Sequence, residues 1–208
     1  MKELLVFYDS DLKDKWRDSY IKAISSKIKN VKLLDCCVGK TVEQKVNSDI
    51  HRVLILEPFD PKLKDQLKTM FVKYPQLDIE GVYTGGLTIT AEAILDTIWS
   101  EQGRDLRDKT ILIVNQSDIL GKPLAKRLID LGANVVSLNS KCKNLESLIL
   151  IGKPDVLVSA SGSKYFKIKA SLSRYIETKI DLSNDLETKD KITSIPTVEV
   201  LKARLGEL

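Results

Sequence analysis

Residues Ile111 to Ser140 read ILIVNQSDILGKPLAKRLIDLGANVVSLNS, and this succession constrains the fold more than any other stretch. An apolar run gives way to a polar loop, then to a helical pattern that starts at Pro123, a good first-turn residue, and stops at Gly132, and then to a second apolar run. The helix is expected to bury Leu124, Leu128, Ile129 and Leu131. Val156 to Ala160 and Lys179 to Leu182 continue the series as further strands, with a helical turn or two at Leu145 to Ile151. Continuous apolar strands joined by helices imply a parallel sheet covered on both faces. The loop Asn115 to Lys122 sits where a dinucleotide fingerprint would place three glycines, yet it holds only Gly121.

The N-terminal part alternates in the same way. Strands are expected at Glu3 to Tyr8, Val31 to Cys37 and Arg52 to Leu56, and a short one at Ile79 to Tyr83. Helices are expected at Leu12 to Lys29, Val42 to Asn47 and Lys62 to Lys73, with Trp16, Tyr20, Ala23, Ile24, Lys27 and Ile28 near one face of the first. Thr90 reads as the cap of a helix carrying Ala91, Ile94, Leu95, Ile98 and Trp99 and ended by Gly103. The expected division is a lobe over 1–89, a linking helix over 90–103, a second lobe over 104–190 and a C-terminal helix over 191–208 packing back on the first lobe.

Composition narrows the function. The 208 residues suffice for one large or two small domains, and 43% hydrophobic content supplies a core. A net charge of +4, from 33 basic and 29 acidic residues, is spread along the chain without interleaved aromatics, so no nucleic-acid partner is expected. No apolar stretch reaches about 18 residues, and the start MKELLVFYDSD does not read as a signal peptide, so the expected setting is the cytoplasm, away from any membrane. Three cysteines without C-x-x-C spacing and one histidine argue against a disulfide framework, a zinc site or a histidine-based triad.

In a parallel sheet, ligands sit at the carboxyl ends of the strands. There the second lobe carries Asn115-Gln116-Ser117, then Asn139-Ser140-Lys141, then Ser161-Gly162, then Ser183-Asn184. These are also residues that any loop favours. Their order is more specific. SDILGKPLAKRLIDLGANV, LNSK, PDVLVSASG and KIDLSN resemble, element by element, the cofactor domain of the methylenetetrahydrofolate dehydrogenase/cyclohydrolase family. Its corresponding loops read G-R-S-x-x-V-G-x-P, H-S-[KR]-T, A-x-G and I-D-V-G. In the first lobe VLILEPFDPKL, LDIEG, TITAEAIL and SYIKAISSKIK resemble, more loosely, the family's V-Q-L-P-L-P, K-D-V-D-G, C-T-P entry and S-x-x-Y-V-x-x-K-x-K segments. Relative to that pattern the chain lacks a segment before the linking helix and the G-G-V-G-P loop.

The resemblance implies a two-lobe α/β fold: an N-terminal α/β substrate lobe and a C-terminal Rossmann-like lobe that binds NADP or NAD. It implies a homodimer acting on a folate or modified pterin. Asn115, Gln116, Ser117, Ser140, Lys141, Ser161, Gly162 and Asn184 then fall at the cofactor, and Asp78 and Glu80 at the pterin. Tyr20 matches the family tyrosine beside the one-carbon unit. The family lysine one turn later is Ile24 here, and Lys27, two turns on, is the candidate replacement. Gln116 replaces an arginine, which weakens the case for a 2′-phosphate, whereas Lys141 strengthens it. The expected activity is NAD(P)-dependent oxidation of 5,10-methylene-tetrahydrofolate, or of a related pterin, with cyclohydrolase activity weak or lost. The alternative is a non-catalytic relative that keeps the fold as a ligand-binding or interaction module.

Overall fold

The computed structural model describes residues 3–12, 14–35 and 50–206. The expected helix at Val42 to Asn47, and Cys36 and Cys37, lie outside them. The chain forms two compact units, Met1–Gly86 with Val198–Leu208, and Leu87–Thr197. Both are α/β with all-parallel sheets.

In the first unit β1 (Glu3–Tyr8) lies between β2 (Val31–Asp35) and β3 (Ile50–Ile55). Helix α1 (Lys15–Lys27) starts at Lys15, later than the expected Leu12, because Asp14 caps it by accepting the Arg17 N–H at 2.8 Å. Helix α2 (Pro61–Lys73) is capped by Asp60 and buries Leu67, Met70 and Phe71 against Leu5, Phe7 and Val53. The expected strand at Ile79 to Tyr83 does not form. It shrinks to one bridge between Asp78 and Val53, because the Asp78 carboxylate draws the following residues into a turn.

The second unit begins with α3 (Ile89–Gln102), the expected linking helix, which buries Ala91, Ile94, Leu95 and Ile98 in this unit's core. Its cap is Thr88, two residues before the expected Thr90; the Thr88 hydroxyl accepts the Ala91 N–H at 3.3 Å. Strands β4 (Thr110–Val114), β5 (Asn134–Leu138), β6 (Val156–Ser159) and β7 (Thr178–Asp181) pair in the order β5-β4-β6-β7. Alternate side chains serve opposite faces: Ile111 and Ile113 pack with α3 and with Leu124 and Leu128 of α4 (Gly121–Asp130). Leu112 and Val114 pack with Leu145 and Ile149 of α5 (Leu145–Gly152) and with Ile168 and Ile176 around α6 (Ala170–Ser173). The sheet is therefore covered on both faces, as the apolar strands require.

Two readings of α4 are corrected. It starts at Gly121, since the Gly121 and Lys122 N–H groups are already bonded to Asn115 Oδ1 (2.9 Å) and Ser117 O (3.1 Å) before Pro123 is reached. Ile129 is 59% exposed, because it falls outside the stripe of buried Leu124 and Leu128 and partly buried Ala125 and Leu131 that packs on this core. Gly132 ends the helix at φ 85°, a left-handed conformation that an L residue adopts only with strain. Helix α7 (Thr197–Leu205) counts with the first unit from Val198 onward. Among the described residues no helix is long and apolar enough to cross a membrane.

Candidate functional site

The chain leaves β4 toward β5 on one side and returns to β6 on the other, so the sheet has its topological switch point between the carboxyl ends of β4 and β6. Asn115 stands there. Its Nδ2 donates to the Ala160 carbonyl at 2.7 Å, crossing from the end of β4 to the end of β6. Its Oδ1 accepts from Ser117 N–H (2.8 Å), the Ser117 hydroxyl (2.8 Å) and Gly121 N–H (2.9 Å). Ser117 also accepts the Leu120 N–H at 3.1 Å. The amides that a glycine-rich loop turns toward a phosphate are thus turned inward on one asparagine side chain. Helix α4 comes this close because residue 121 lacks a side chain: a Cβ there would lie 1.9 Å from the Asn115 carbonyl oxygen. That is the packing role of the third glycine in a dinucleotide fingerprint.

At the end of β5, Gln116 donates to Ser137 O at 3.0 Å and accepts from Asn139 Nδ2 at 3.2 Å. Asn139 in turn accepts the Lys141 N–H at 2.9 Å. This closes the turn that carries Ser140 and Lys141, and the Lys141 side chain is exposed. An open groove of about 690 Å³ runs from Gln116 and Ser137 along α4, with Lys122 and Lys126 on its wall.

The ends of β6 and β7 are joined through two buried carboxylates that the sequence reading did not single out. Asp185 is 0% exposed and accepts from the hydroxyls of Ser159 and Ser161 (both 2.7 Å) and from Ser161 N–H (3.0 Å). Asp181, 1% exposed, accepts the N–H groups of Asp185 (2.8 Å) and Leu186 (2.9 Å) and pairs with Lys191 at 2.7 Å. Burial pushes the Asp181 carboxyl up, but the Lys191 ammonium and those two N–H groups outweigh it, so Asp181 titrates below the ordinary carboxylate range. Gly162 donates its N–H to the Ser183 hydroxyl at 3.1 Å. Asn184 holds a left-handed φ of 56°, and its side-chain oxygen accepts from Lys191 at 2.9 Å. The signal in the sequence was the acid following the fourth-strand loop, Ser183-Asn184-Asp185.

In the first unit the matched positions serve different ends. Ile24 is 0% exposed and belongs to the core, while Tyr20, one turn earlier, is half-buried. Lys27 is exposed and pairs with Glu199 of α7 at 3.1 Å, which holds the Glu199 carboxyl below its usual range. Asp78 is engaged by its own loop: it accepts the N–H groups of Gly81 (2.9 Å), Tyr83 (2.9 Å) and Thr84 (3.1 Å) and the Thr84 hydroxyl (3.2 Å). This turn carries half-buried Glu80, whose carbonyl, with that of Ile79, accepts from Arg204 of α7. Tyr83 stacks on Phe71 at 5.1 Å. Burial and the carboxylates of Glu57, Asp78 and Asp65 push its hydroxyl up to about 12, so it stays neutral.

The model of the tetrahydrofolate dehydrogenase/cyclohydrolase NAD(P)-binding domain matches residues 88–193, just over half of the chain and nearly all of the second unit. The chain belongs to the tetrahydrofolate dehydrogenase/cyclohydrolase family. Among its relatives, the bifunctional protein FolD of Macrococcus caseolyticus is 31% identical over 131 residues, 57% of this chain and 45% of that protein. FolD of Dictyoglomus thermophilum is 30% identical over 139 residues, 60% of this chain and 46% of that protein. The match thus spans about half the length of these relatives. Among solved structures, the NAD-dependent 5,10-methylenetetrahydrofolate dehydrogenase of Saccharomyces cerevisiae aligns with a TM-score of 0.76 at 15% identity, over 98% of this chain and 86% of that one. The Trypanosoma brucei methylenetetrahydrofolate dehydrogenase-cyclohydrolase, solved with NADP and an inhibitor, aligns at 0.72 and 15% identity, over 99% of this chain and 84% of that one. At such identities the likeness is one of fold. In this family member the strand order and the approach of α4 to β4 are kept, while a side chain fills the first turn of the fingerprint loop.

Proposed function

We propose that the protein is an NAD(P)-dependent dehydrogenase that oxidises the one-carbon bridge of 5,10-methylene-tetrahydrofolate or a related pterin, with cyclohydrolase activity weak or lost. One observation carries this reading: NQSDILGKP, NSK, ASG and DLSN close four adjacent parallel strands around a single switch point. The residues suit a dinucleotide. The sheet is doubly covered, Gly121 admits the helix, and small polar side chains edge the crevice. When bound, the nicotinamide group supplies a hydride acceptor.

In this reading Ser140 and Lys141 hold the adenosine ribose, and Gln116 and Ser117 edge the pyrophosphate. Asn115 shapes the loop between them. Ser161, Gly162 and Asn184 frame the nicotinamide half. Asp78 fixes the turn that presents Glu80 to the pterin, and Tyr20 lies toward the one-carbon unit. Removing a hydride from the methylene carbon leaves a methenyl cation and releases no proton, so that step needs orientation rather than a side-chain base. Cyclohydrolysis adds water and needs proton transfer. Ile24 supplies none, and Lys27 is tied to Glu199.

The test is reduced-nicotinamide formation from 5,10-methylene-tetrahydrofolate with NADP and with NAD, beside hydrolysis of the methenyl compound. Dehydrogenation without hydrolysis above background is expected. Hydrolysis at a comparable rate, abolished by Lys27→Ala, would make Lys27 the acting lysine. A second reading, a non-catalytic binding module, draws on the core position of Ile24 and the inward-turned amides of Ser117 and Gly121. It is favoured if dinucleotide binds and neither reaction proceeds.

NADP is expected to bind about tenfold more tightly than NAD, equivalent to about 1.4 kcal/mol for one exposed cation near the 2′ position. No acid follows β5 to bind both ribose hydroxyls. Lys141→Ala should erase this difference and leave NAD affinity unchanged. Equal weakening of both cofactors by that variant, in equilibrium titrations, would mean that the β5 loop does not meet the adenosine ribose.

A further inference from the structure

We propose that Asp185 makes the second unit prefer the oxidised, cationic form of the nicotinamide cofactor over the reduced, neutral form. The inference rests on the dinucleotide reading above and adds to it the role of a buried charge.

Two fully buried carboxylates lie beneath the ends of β6 and β7. Asp181 is compensated by Lys191 at 2.7 Å. Asp185 is not: it accepts hydrogen bonds from the hydroxyls of Ser159 and Ser161 and from Ser161 N–H, all neutral donors, and among the described residues it forms no ion pair. Lys167 reaches the neighbouring Asn184 carbonyl, but Lys167 is exposed and its field passes largely through water. The field of Asp185 passes through protein, where a charge is screened far less. The buried Lys179 of β7 turns away from it, donating to the Ile176 carbonyl at 2.6 Å and pairing with Asp190 at 2.9 Å, so the Asp185 carboxylate has no ammonium in contact with it behind the loop Ser161-Gly162.

Which half of the cofactor meets that charge follows from topology. A dinucleotide crosses the sheet at the switch point, with its adenosine ribose at the strand after the fingerprint helix, here β5. Its nicotinamide half then extends over β6 and β7, the side on which Asp185 holds Ser161. The oxidised ring carries a positive charge and the reduced ring none, so a fixed negative charge favours the oxidised state. Asp185 acts at a distance, by its charge and through the serine loop, and is a positioning residue.

Asp185→Asn keeps the size and one acceptor oxygen and removes the charge. The experiment is equilibrium titration of the whole chain with oxidised cofactor, reduced cofactor and adenosine diphosphate, for the parent protein, Asp185→Asn and Lys191→Met. The parent is expected to bind the oxidised form more tightly than the reduced one. Asp185→Asn should lower that ratio about fivefold, as one partly screened charge several ångströms away would. Lys191→Met, which uncovers a second negative charge, should raise the ratio, and adenosine diphosphate affinity should change with neither variant. The Lys191 variant carries the test if Asp185→Asn does not fold. An unchanged ratio in variants that still bind both forms, a parent that prefers the reduced form, or equal weakening of all three ligands would overturn the proposal. Adenosine diphosphate binding without either complete cofactor would overturn the dinucleotide reading as well.

Discussion

Gly121→Ala is expected to destabilise the second unit by about 3 kcal/mol and to lower its thermal midpoint by about 10 °C. A Cβ at 121 would lie 1.9 Å from the carbonyl oxygen of Asn115 and 2.4 Å from its carbonyl carbon. Both are backbone atoms at the end of β4, so relief requires α4 to back away from the sheet. Leu124 and Leu128, one and two turns further along the same helix, are fully buried against that sheet and would lose contacts with it. The matched control is Gly152→Ala at the end of α5, where a Cβ would meet nothing within 4 Å; it should be neutral or slightly stabilising. Thermal unfolding followed by circular dichroism checks both. A midpoint for Gly121→Ala within about 2 °C of the parent, less than 1 kcal/mol, would mean that α4 is not held against β4 as described. The clash is with backbone, so shortening residue 115 at the same time should not rescue it.

That glycine also shows what the sequence reveals and what it hides. The sheet was legible because β4 and β6 are nearly continuous apolar runs, and burial on both faces leaves few other conformations for such runs between helices, whereas β7, Thr178–Asp181, is fully buried but carries only one apolar residue, Ile180. The boundaries that shifted did so where one polar side chain outbid local propensity. Asp78 gathers three N–H groups and a hydroxyl, converting the β-branched Ile79 to Tyr83 stretch into a turn. Thr88, rather than Thr90, reaches the free N–H at the start of α3. The candidate site was legible as a list of loops, since its position depends only on strand order. Its internal wiring was not. Nothing in NQSDILG says that Asn115 bonds Ser117, Gly121 and Ala160 at once, or that Asp185 sits under Ser159 and Ser161, because these partners are up to 45 residues apart. Family resemblance identified Ile24 as a departure, and burial adds the reason a lysine would be costly there, since the position is core.

Asn115→Gly is expected to tighten dinucleotide binding about thirtyfold, about 2 kcal/mol, while lowering the stability of the free protein by about 1–2 kcal/mol. The opposite signs follow from the same hydrogen bonds. In the free chain the Asn115 amide satisfies Ser117 N–H, the Ser117 hydroxyl and Gly121 N–H, and ties β4 to β6 through Ala160. A pyrophosphate approaching the start of α4 must displace that amide before it can use those donors, exchanging neutral hydrogen bonds for charge-assisted ones rather than simply gaining the latter. Glycine leaves the donors to water, which a phosphate displaces more easily, and opens the crevice at the switch point. The gain should therefore follow the pyrophosphate: large for NADP, NAD and adenosine diphosphate, absent for adenosine. Calorimetric titration of those four ligands, with a thermal melt of each free protein, separates the two effects. If adenosine gains as much as adenosine diphosphate, the asparagine acts on the shape of the crevice and not on its phosphate donors. If no ligand gains while stability falls, Asn115 is a structural brace and the phosphates bind elsewhere on the sheet edge.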